Sequence, residues 1–123
     1  MTITISKVTA IGANALDPAD SLVILFGESA TPALRDVAVI QQFDDPKAQL
    51  ALTVAVGDHV EIDSVSYLVE RVGKLANQNL QTIGHVSLIF DQIPDQPMEN
   101  ALYLEPKVKP QLTIGSTIIY LTK

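Results

Sequence analysis

The apolar residues of this 123-residue chain occur in short runs, and turns that contain glycine, proline, asparagine or aspartate separate most of them. Val65, Tyr67 and Val69 alternate with other residues, as in a strand with one buried face, whereas Leu22–Phe26 is continuous, as in a strand buried on both faces. About eight such segments can be recognised, at Ile3–Val8, Leu22–Phe26, Val37–Ile40, Val60–Asp63, Val65–Val69, Val86–Phe90, Ala101–Leu104 and Thr117–Leu121. They favour an all-β fold, a small closed or nearly closed antiparallel β-barrel, because closure leaves no unpaired sheet edge.

Signals for helices are weak. Lys74–Ile83 is the only segment that predicts a helix of two or more turns, and Gly84 stands where a left-handed C-cap is required. Thr31–Arg35 fits a single turn, with Thr31 as the cap and Pro32 at the first helical position. We therefore expect one short helix. No linker or low-complexity tract divides the chain, so residues 1–123 are expected to form a single domain.

Two glycine-containing segments, Val54–Ile62 and Leu112–Tyr120, have the same pattern of an apolar residue, a glycine, a small polar residue and then a strand. We interpret them as one type of turn used twice, rather than as a duplicated domain. In the N-terminal strand the apolar side changes between Ile5 and Val8. This change predicts a β-bulge near Ser6–Lys7.

The composition excludes several classes of function. The formal net charge is −6 with only eight Lys and Arg, which argues against nucleic acid as a partner, since phosphate contacts need clustered basic residues. The absence of cysteine excludes disulfides and thiolate metal sites. Met1–Lys7 does not have the basic leader and apolar block of a secretory signal, and the longest apolar run, Leu22–Phe26, is too short to cross a bilayer. We expect a cytoplasmic protein that does not insert into the membrane.

The segment Gly84–Asp91 places one of only two histidines, His85, between a glycine and an apolar strand. Imidazole is the side chain whose ordinary pKa lies nearest neutrality, so it suits proton, metal or phosphoryl chemistry. The simpler interpretation of a lone histidine is structural, with His85 hydrogen-bonded to a nearby backbone group. His59 follows Asp58 and is expected in a solvated turn.

Other catalytic and metal sites have little support. Ser, His and Asp are all present, but there is no Gly-x-Ser-x-Gly nucleophile elbow, so a hydrolase triad is weakly supported. The spacing of His59 and His85 does not fit a zinc site. Asp44–Asp45 and Asp91 could offer carboxylates to a hard cation, although adjacent loop aspartates more often form a solvated turn. No glycine-rich phosphate loop is present, and we expect neither a cofactor nor a metal.

Six segments taken together carry a family resemblance: Ile11–Ala13, Leu22–Phe26, Val69–Gly73, Asn77–Leu80, Gly84–Asp91 and Ile114–Ser116. In this order they resemble the glucitol/sorbitol-specific IIA component of the bacterial phosphoenolpyruvate-dependent sugar phosphotransferase system, over nearly the whole chain. The most specific piece is Gly84–Asp91. The resemblance implies a cytoplasmic β-barrel that accepts a phosphoryl group on a histidine from the phosphohistidine carrier protein. It then passes the group to the IIB/IIC subunits of the sugar permease.

One position departs from the pattern that the resemblance implies. The phospho-accepting histidine of the family follows an apolar strand after a Pro-x-Leu turn, and that place falls on Gln41 here. An amide nitrogen is not a nucleophile, because its lone pair is delocalised into the carbonyl group, so Gln41 cannot carry a phosphoryl group.

Two interpretations follow from this departure. In the first, the chain is a non-catalytic family member that works by binding a partner or a ligand. Alternatively, His85 accepts the phosphoryl group, with Gln41 and Gln42 as phosphate-contacting donors, and this interpretation requires His85 to face the same rim of the barrel as Gln41. In that second case Arg71 is the nearest candidate for stabilising the transferred charge.

Overall fold

The eight strands of the chain close into a barrel, in a computed structural model that describes all of residues 1–123. The strands are β1 (Thr2–Ile11), β2 (Leu22–Phe26), β3 (Val39–Phe43), β4 (His59–Ile62), β5 (Val65–Val72), β6 (Val86–Ile89), β7 (Ala101–Glu105) and β8 (Thr117–Thr122). Their order around the barrel is β1-β3-β2-β6-β7-β5-β4-β8. The expected closed all-β barrel is confirmed.

Two of the strand pairs, β2–β3 and β6–β7, are parallel, and the other pairs are antiparallel. A parallel pair needs a crossover connection of about a dozen residues. The segments 27–38 and 90–100 supply these two connections. The predicted antiparallel barrel is therefore right for most pairs, and the long connections account for the exceptions.

Three short helices lie outside the strands: α1 (Pro32–Asp36), α2 (Pro46–Ala51) and α3 (Ala76–Ile83). α1 is the turn predicted after Thr31, whose hydroxyl accepts the Leu34 N–H. α3 ends at Gly84, as predicted. α2 was not predicted from the sequence, which indicated only one short helix. Asp45 is its N-cap, and the Asp45 carboxylate accepts the Lys47 N–H at 2.9 Å. One of the two adjacent aspartates, Asp44 and Asp45, is therefore a helix cap and not only part of a solvated turn.

The bulge in β1 lies between Val8 and Ala10, not near Ser6–Lys7. Thr4, Ser6 and Val8 are all buried, so the inward alternation of β1 continues without interruption to Val8. The predicted position was wrong because two of the inward-facing residues are polar. A pattern of apolar residues alone could not reveal them.

The two glycine turns are part of a repeat that includes every strand of the barrel. Gly57 and Gly115 have positive φ values of 94° and 97°, and their N–H groups donate to the carbonyls of Val69 in β5 and Val8 in β1. Exchanging β1–β4 with β5–β8 reproduces every strand pairing, including the two parallel pairs. The segments interpreted as one turn used twice thus belong to two half-barrels with the same topology.

The interior of the barrel holds one large apolar core, which includes Leu25, Val39 and Val86. A second cluster, here called the outer cluster, lies on the opposite face of β2 and β3 and consists of Phe26, Ala30, Ala38 and Ile40. Alternation along each strand explains the division, since successive side chains of a strand point to opposite faces. No helix in the chain has both the length and the apolar character needed to span a bilayer.

Candidate functional site

Gln41, on which the resemblance places the acceptor position, lies inside the barrel with 1% of its surface exposed. Its Oε1 accepts hydrogen bonds from the Ser6 hydroxyl at 2.7 Å and from the Tyr120 hydroxyl at 2.8 Å. Its Nε2 donates to the carbonyl oxygen of Gly84 at 3.0 Å. Burial raises the pKa of Tyr120 well above its ordinary value, so this hydroxyl remains a donor.

These contacts make Gln41 a junction between distant elements of the barrel. Through its one amide group, β3 is connected to β1, to β8 and to the end of α3. Both lone pairs of Oε1 are used, and one of the two Nε2 hydrogens is used. The amide therefore satisfies buried polar groups that would otherwise be unpaired inside the barrel.

His85 is half-buried on the outer face of the barrel. Its Nδ1 lies 3.1 Å from the carbonyl oxygen of Leu25. A carbonyl oxygen can only accept, so Nδ1 carries the proton, and the neutral ring then has its lone pair on Nε2. The ring stacks on Phe26 of the outer cluster, with centroids 4.4 Å apart and an angle of 27° between the ring planes. The hydrogen bond and the stacking together hold the ring in one orientation.

The side chain of Gln41 reaches the backbone next to His85, but the two side chains lie on different faces of the barrel wall. Gln41 contacts Gly84, the residue before His85, from the interior, whereas the imidazole packs on the exterior. Gly84 makes this arrangement possible because it ends α3 in the left-handed conformation with φ 64°, which favours glycine. The side chains of His85 and Gln41 therefore do not form one reaction centre.

The end of β2 meets the end of α3 at Gly27. The Gly27 N–H donates to the carbonyl oxygen of Ile83 at 2.8 Å. A Cβ at Gly27 would lie 2.7 Å from that same oxygen, so a larger residue would push the two segments apart. A close backbone approach thus fixes the position of the segment that carries His85.

A polar cavity of about 240 Å³ opens beside this junction, and we call it the β3 cavity. It lies between the turn after β2, the end of β3, and the facing parts of α2 and α3. The polar side chains that line it are those of Glu28, Ser29, Gln41, Gln42, Gln49 and Thr82. His85 and Phe26 do not line the cavity. The two regions that sequence analysis treated as one site are therefore neighbours rather than a single pocket.

Glu28 is the only ionisable residue that lines the β3 cavity. Its carboxylate accepts hydrogen bonds from the Thr9 hydroxyl at 2.8 Å and from Arg35 at 3.2 Å. These two contacts lower the pKa of the Glu28 carboxyl below its ordinary value of 4.5. Arg35 is itself held in place, since it also donates to the backbone carbonyls of Glu28 and Ala30.

The proposed cation, Arg71, lies far from His85. Ile89 in β6 is in register with Tyr103 in β7, which is in register with Arg71 in β5. Arg71 is thus two strands away and four residues along, which corresponds to roughly 13 Å in the strand direction alone. Arg35 is a nearer cation, because its carbonyl contact Ala30 belongs to the outer cluster on which His85 stacks. The sequence contained no periodic signal for it.

The remaining candidate residues are dispersed. Gln42 is exposed and lines the β3 cavity. His59 is exposed on β4, three strands from β6 around the barrel. Asp91 accepts from the Ser21 hydroxyl at 3.3 Å and from the next backbone N–H. Of the carboxylates considered for a cation, those of Asp45 and Asp91 therefore make local hydrogen bonds at separate places.

The protein is a small closed β-barrel built from two halves with the same topology. A histidine follows its longest helix, and the Leu25 carbonyl holds the histidine ring in one tautomer. Residues 3–119 match the family described as "PTS system glucitol/sorbitol-specific IIA component". The chain belongs to this glucitol/sorbitol-specific IIA family.

Individual relatives agree with this assignment. The "PTS system glucitol/sorbitol-specific EIIA component" of Escherichia coli (strain K12) is 30% identical over 116 residues, covering 92% of this chain and 89% of that protein. The protein of the same description from Shigella flexneri matches to the same extent. The crystal structure of a PTS system IIA component from Enterococcus faecalis V583 superimposes with a TM-score of 0.90 at 42% identity, covering 96% of this chain and 99% of that one.

Proposed function

We propose that this chain is a phosphoryl carrier of a glucitol-type phosphotransferase system and that Nε2 of His85 accepts the phosphoryl group. The donor is the phosphohistidine carrier protein, and the recipients are the IIB/IIC subunits of the sugar permease. The proposal is carried by one observation, the hydrogen bond between Nδ1 of His85 and the Leu25 carbonyl, which leaves the lone pair on Nε2. Family membership supports the two partners and a cytoplasmic location.

The transfer step needs no movement of a proton. The Nε2 lone pair attacks phosphorus in line, a new P–N bond forms, and the P–N bond to the donor imidazole breaks, so that its electron pair returns to the donor ring. Nδ1 of His85 keeps its hydrogen throughout. The Leu25 carbonyl stabilises the positive charge that develops on the ring, and stacking on Phe26 fixes its direction.

Supporting roles are assigned by position. Gln41 positions Gly84, and through Gly84 it positions the backbone of His85. Gln42 is exposed at the mouth of the β3 cavity, where its amide can contact a phosphate group that the partner brings. Arg35 replaces Arg71 as the proposed source of positive charge, because it is held beside the outer cluster.

The test is phosphoryl transfer from phosphoenolpyruvate in the presence of the enzyme and the carrier that begin the relay. Intact mass should show one added phosphate that is lost in acid and maps to His85. His85→Ala should abolish the addition, whereas the matched variant His59→Ala should retain it, since His59 lies on another part of the barrel. Full labelling of His85→Ala would reject His85 as the acceptor.

A non-catalytic binding role is the second candidate, and the environment of Gln41 favours it. The residue that the resemblance aligns with the family's acceptor, Gln41, is a buried amide and not a nucleophile. If this role is correct, the wild-type chain gains no mass although the upstream proteins are active on another acceptor. Gln41→His would then gain an acid-labile phosphate, while binding of the partner by His85→Ala would be unchanged.

A further inference from the structure

We infer that a cavity at the end of the barrel opposite His85 binds a small molecule that carries a primary carboxamide group. The cavity, which we call the distal cavity, is lined by Leu16, Pro18, Lys109, Pro110, Gln111 and Leu112. Residues 12–21 lead into the start of β2, whereas His85 precedes the start of β6. Because β2 and β6 are antiparallel neighbours, these two places lie at opposite ends of the barrel. The distal cavity is therefore separate from the candidate acceptor, and it shares no lining residue with the β3 cavity.

One wall of the distal cavity contains two backbone groups without a partner. The N–H and the C=O of Leu112 make no hydrogen bond within the chain. Leu112 is only 5% exposed, so water has little access to either group. Buried backbone groups are nearly always paired in proteins. A ligand can satisfy both groups of Leu112 only if it presents an acceptor and a donor side by side.

Val54 is the counterpart of Leu112 in the other half of the barrel. In both halves the next residue donates its N–H to a side chain three positions further on. These bonds run from Ala55 to Asp58 and from Thr113 to Ser116. The backbone of Val54 pairs with a carboxamide: its N–H donates to Oδ1 of Asn77 at 2.8 Å, and Nδ2 of Asn77 donates to its C=O at 2.9 Å. A primary amide is thus the group that this backbone arrangement binds within the same molecule.

The residue that corresponds to Asn77 is Leu16. The bonds that establish this correspondence run to the carbonyls of Ala38 and Gly12 from Gly12 and Ala15, and to those of Ala101 and Gly73 from Gly73 and Ala76. The apolar side chain of Leu16 cannot pair with the backbone of Leu112. The connection 12–21 is also shorter than the connection 73–85 and contains no helix. The place that α3 fills in the other half is therefore a cavity of about 400 Å³ here.

The size and walls of the distal cavity restrict the molecule that carries the amide. Its volume lies in the usual range of small-molecule sites, about 300–1,000 Å³, and a carboxamide alone would fill a small part of it. Two leucines and two prolines offer apolar contacts to the rest of the ligand. Lys109 is the only ionisable residue in the wall, where its Nζ donates to the carbonyls of Asp17 and Asp20. Its positive charge disfavours a cation. The cavity thus fits an uncharged or anionic amide with an apolar body.

The experiment is a titration of the ¹⁵N-labelled chain with benzamide, which joins a primary amide to an apolar ring. We expect the backbone N–H of Leu112 to shift and saturate. The N–H of Val54, which already donates to Asn77, should not shift. Benzamidine has the same shape but is a cation without an acceptor, and methyl benzoate has an acceptor but no N–H. Each should bind at least tenfold more weakly than benzamide.

Two variants at Leu16 test the origin of the site. Leu16→Asn supplies the amide from the chain itself, as Asn77 does in the other half, so it should weaken benzamide binding at least tenfold. Leu16→Ala removes the same apolar side chain without adding an amide, and it should still bind benzamide. His85→Ala should bind benzamide as the wild type does, so loss of phosphoryl transfer and loss of this site are separate results.

The wild-type titrations decide the matter even where a variant at Leu16 fails to fold. Absence of a saturating shift at Leu112, or equal binding of benzamide and methyl benzoate, would overturn the inference, because the backbone of Leu112 would then play no part in recognition. The same Kd for benzamide in Leu16→Asn and in the wild type would also overturn it.

Discussion

The side-chain amide nitrogen of Gln41 lies 3.0 Å from the carbonyl oxygen of Gly84, the residue that immediately precedes His85. One inward-facing residue of β3 is thereby connected to the segment that carries the candidate acceptor. The same amide accepts from Ser6 and Tyr120. The amide of Gln41 thus has a structural role in the barrel.

Replacing Gln41 with leucine should therefore destabilise the barrel strongly. Gln41→Leu leaves two hydroxyl groups and one carbonyl group without their partner in a buried place, which corresponds to about 2–4 kcal/mol in the free energy of unfolding. Urea denaturation measures this difference. Gln42→Leu, at the exposed neighbouring position, is the control and should change stability by less than about 0.5 kcal/mol. Equal effects of the two substitutions would contradict the role assigned to Gln41.

The tautomer of His85 can be measured directly. We expect the neutral ring to carry its hydrogen on Nδ1, because that nitrogen faces the Leu25 carbonyl. Two-bond ¹H–¹⁵N correlation spectra above pH 8 should show a protonated Nδ1 and an unprotonated Nε2. His59, whose ring is exposed and makes no hydrogen bond within the chain, provides the reference for a solvated ring. An Nε2–H tautomer at His85 would remove the basis for attack by Nε2.

The close approach of β2 to α3 predicts that Gly27 cannot be enlarged. The Cβ of Gly27→Ala would lie 2.7 Å from the Ile83 carbonyl oxygen, and relieving this contact should cost about 1–3 kcal/mol in stability. Thermal unfolding measures the lower stability, and the NMR chemical shifts of the His85 ring report its displacement. Ser29→Ala, in the same turn at an exposed position, should change neither. A Gly27→Ala variant with unaltered stability would mean that the junction can adapt.

Lowering the pH should decrease the stability of the fold, partly through protonation of Glu28. Hydrogen bonds from Thr9 and Arg35 lower the pKa of this carboxyl in the folded state below 4.5, so the pairing stabilises the fold above that pH. The contribution is lost as the pH falls from about 4.5 through the lower, folded-state pKa. Because more than a third of each side chain in the pair is exposed to solvent, we expect only a few tenths of a kcal/mol. Glu28→Gln should flatten the acid side of the stability curve between pH 5 and 3, whereas Glu99→Gln should not.

The all-β fold was predictable from sequence because period-2 alternation and turn residues are local properties. The cap at Gly84 and the turn after Thr31 were predictable for the same reason. The helix α2 was missed, since an Asp-Pro pair is compatible with both a helix start and a solvated turn. The bulge in β1 was misplaced because the inward-facing Thr4 and Ser6 are polar.

The candidate site was predictable only as a set of residues. The sequence by itself determined the family and the number and approximate places of the strands, whereas the assignment of the family's acceptor position to Gln41 stays a prediction. Closure of the barrel decided what Gln41 does, since its hydrogen-bond partners lie 35, 43 and 79 positions away. It also decided that His85 faces outward on Phe26 and that a polar cavity lies near it. Local patterns report which face of a strand is buried, whereas contacts between distant segments arise only when the strands pair in register.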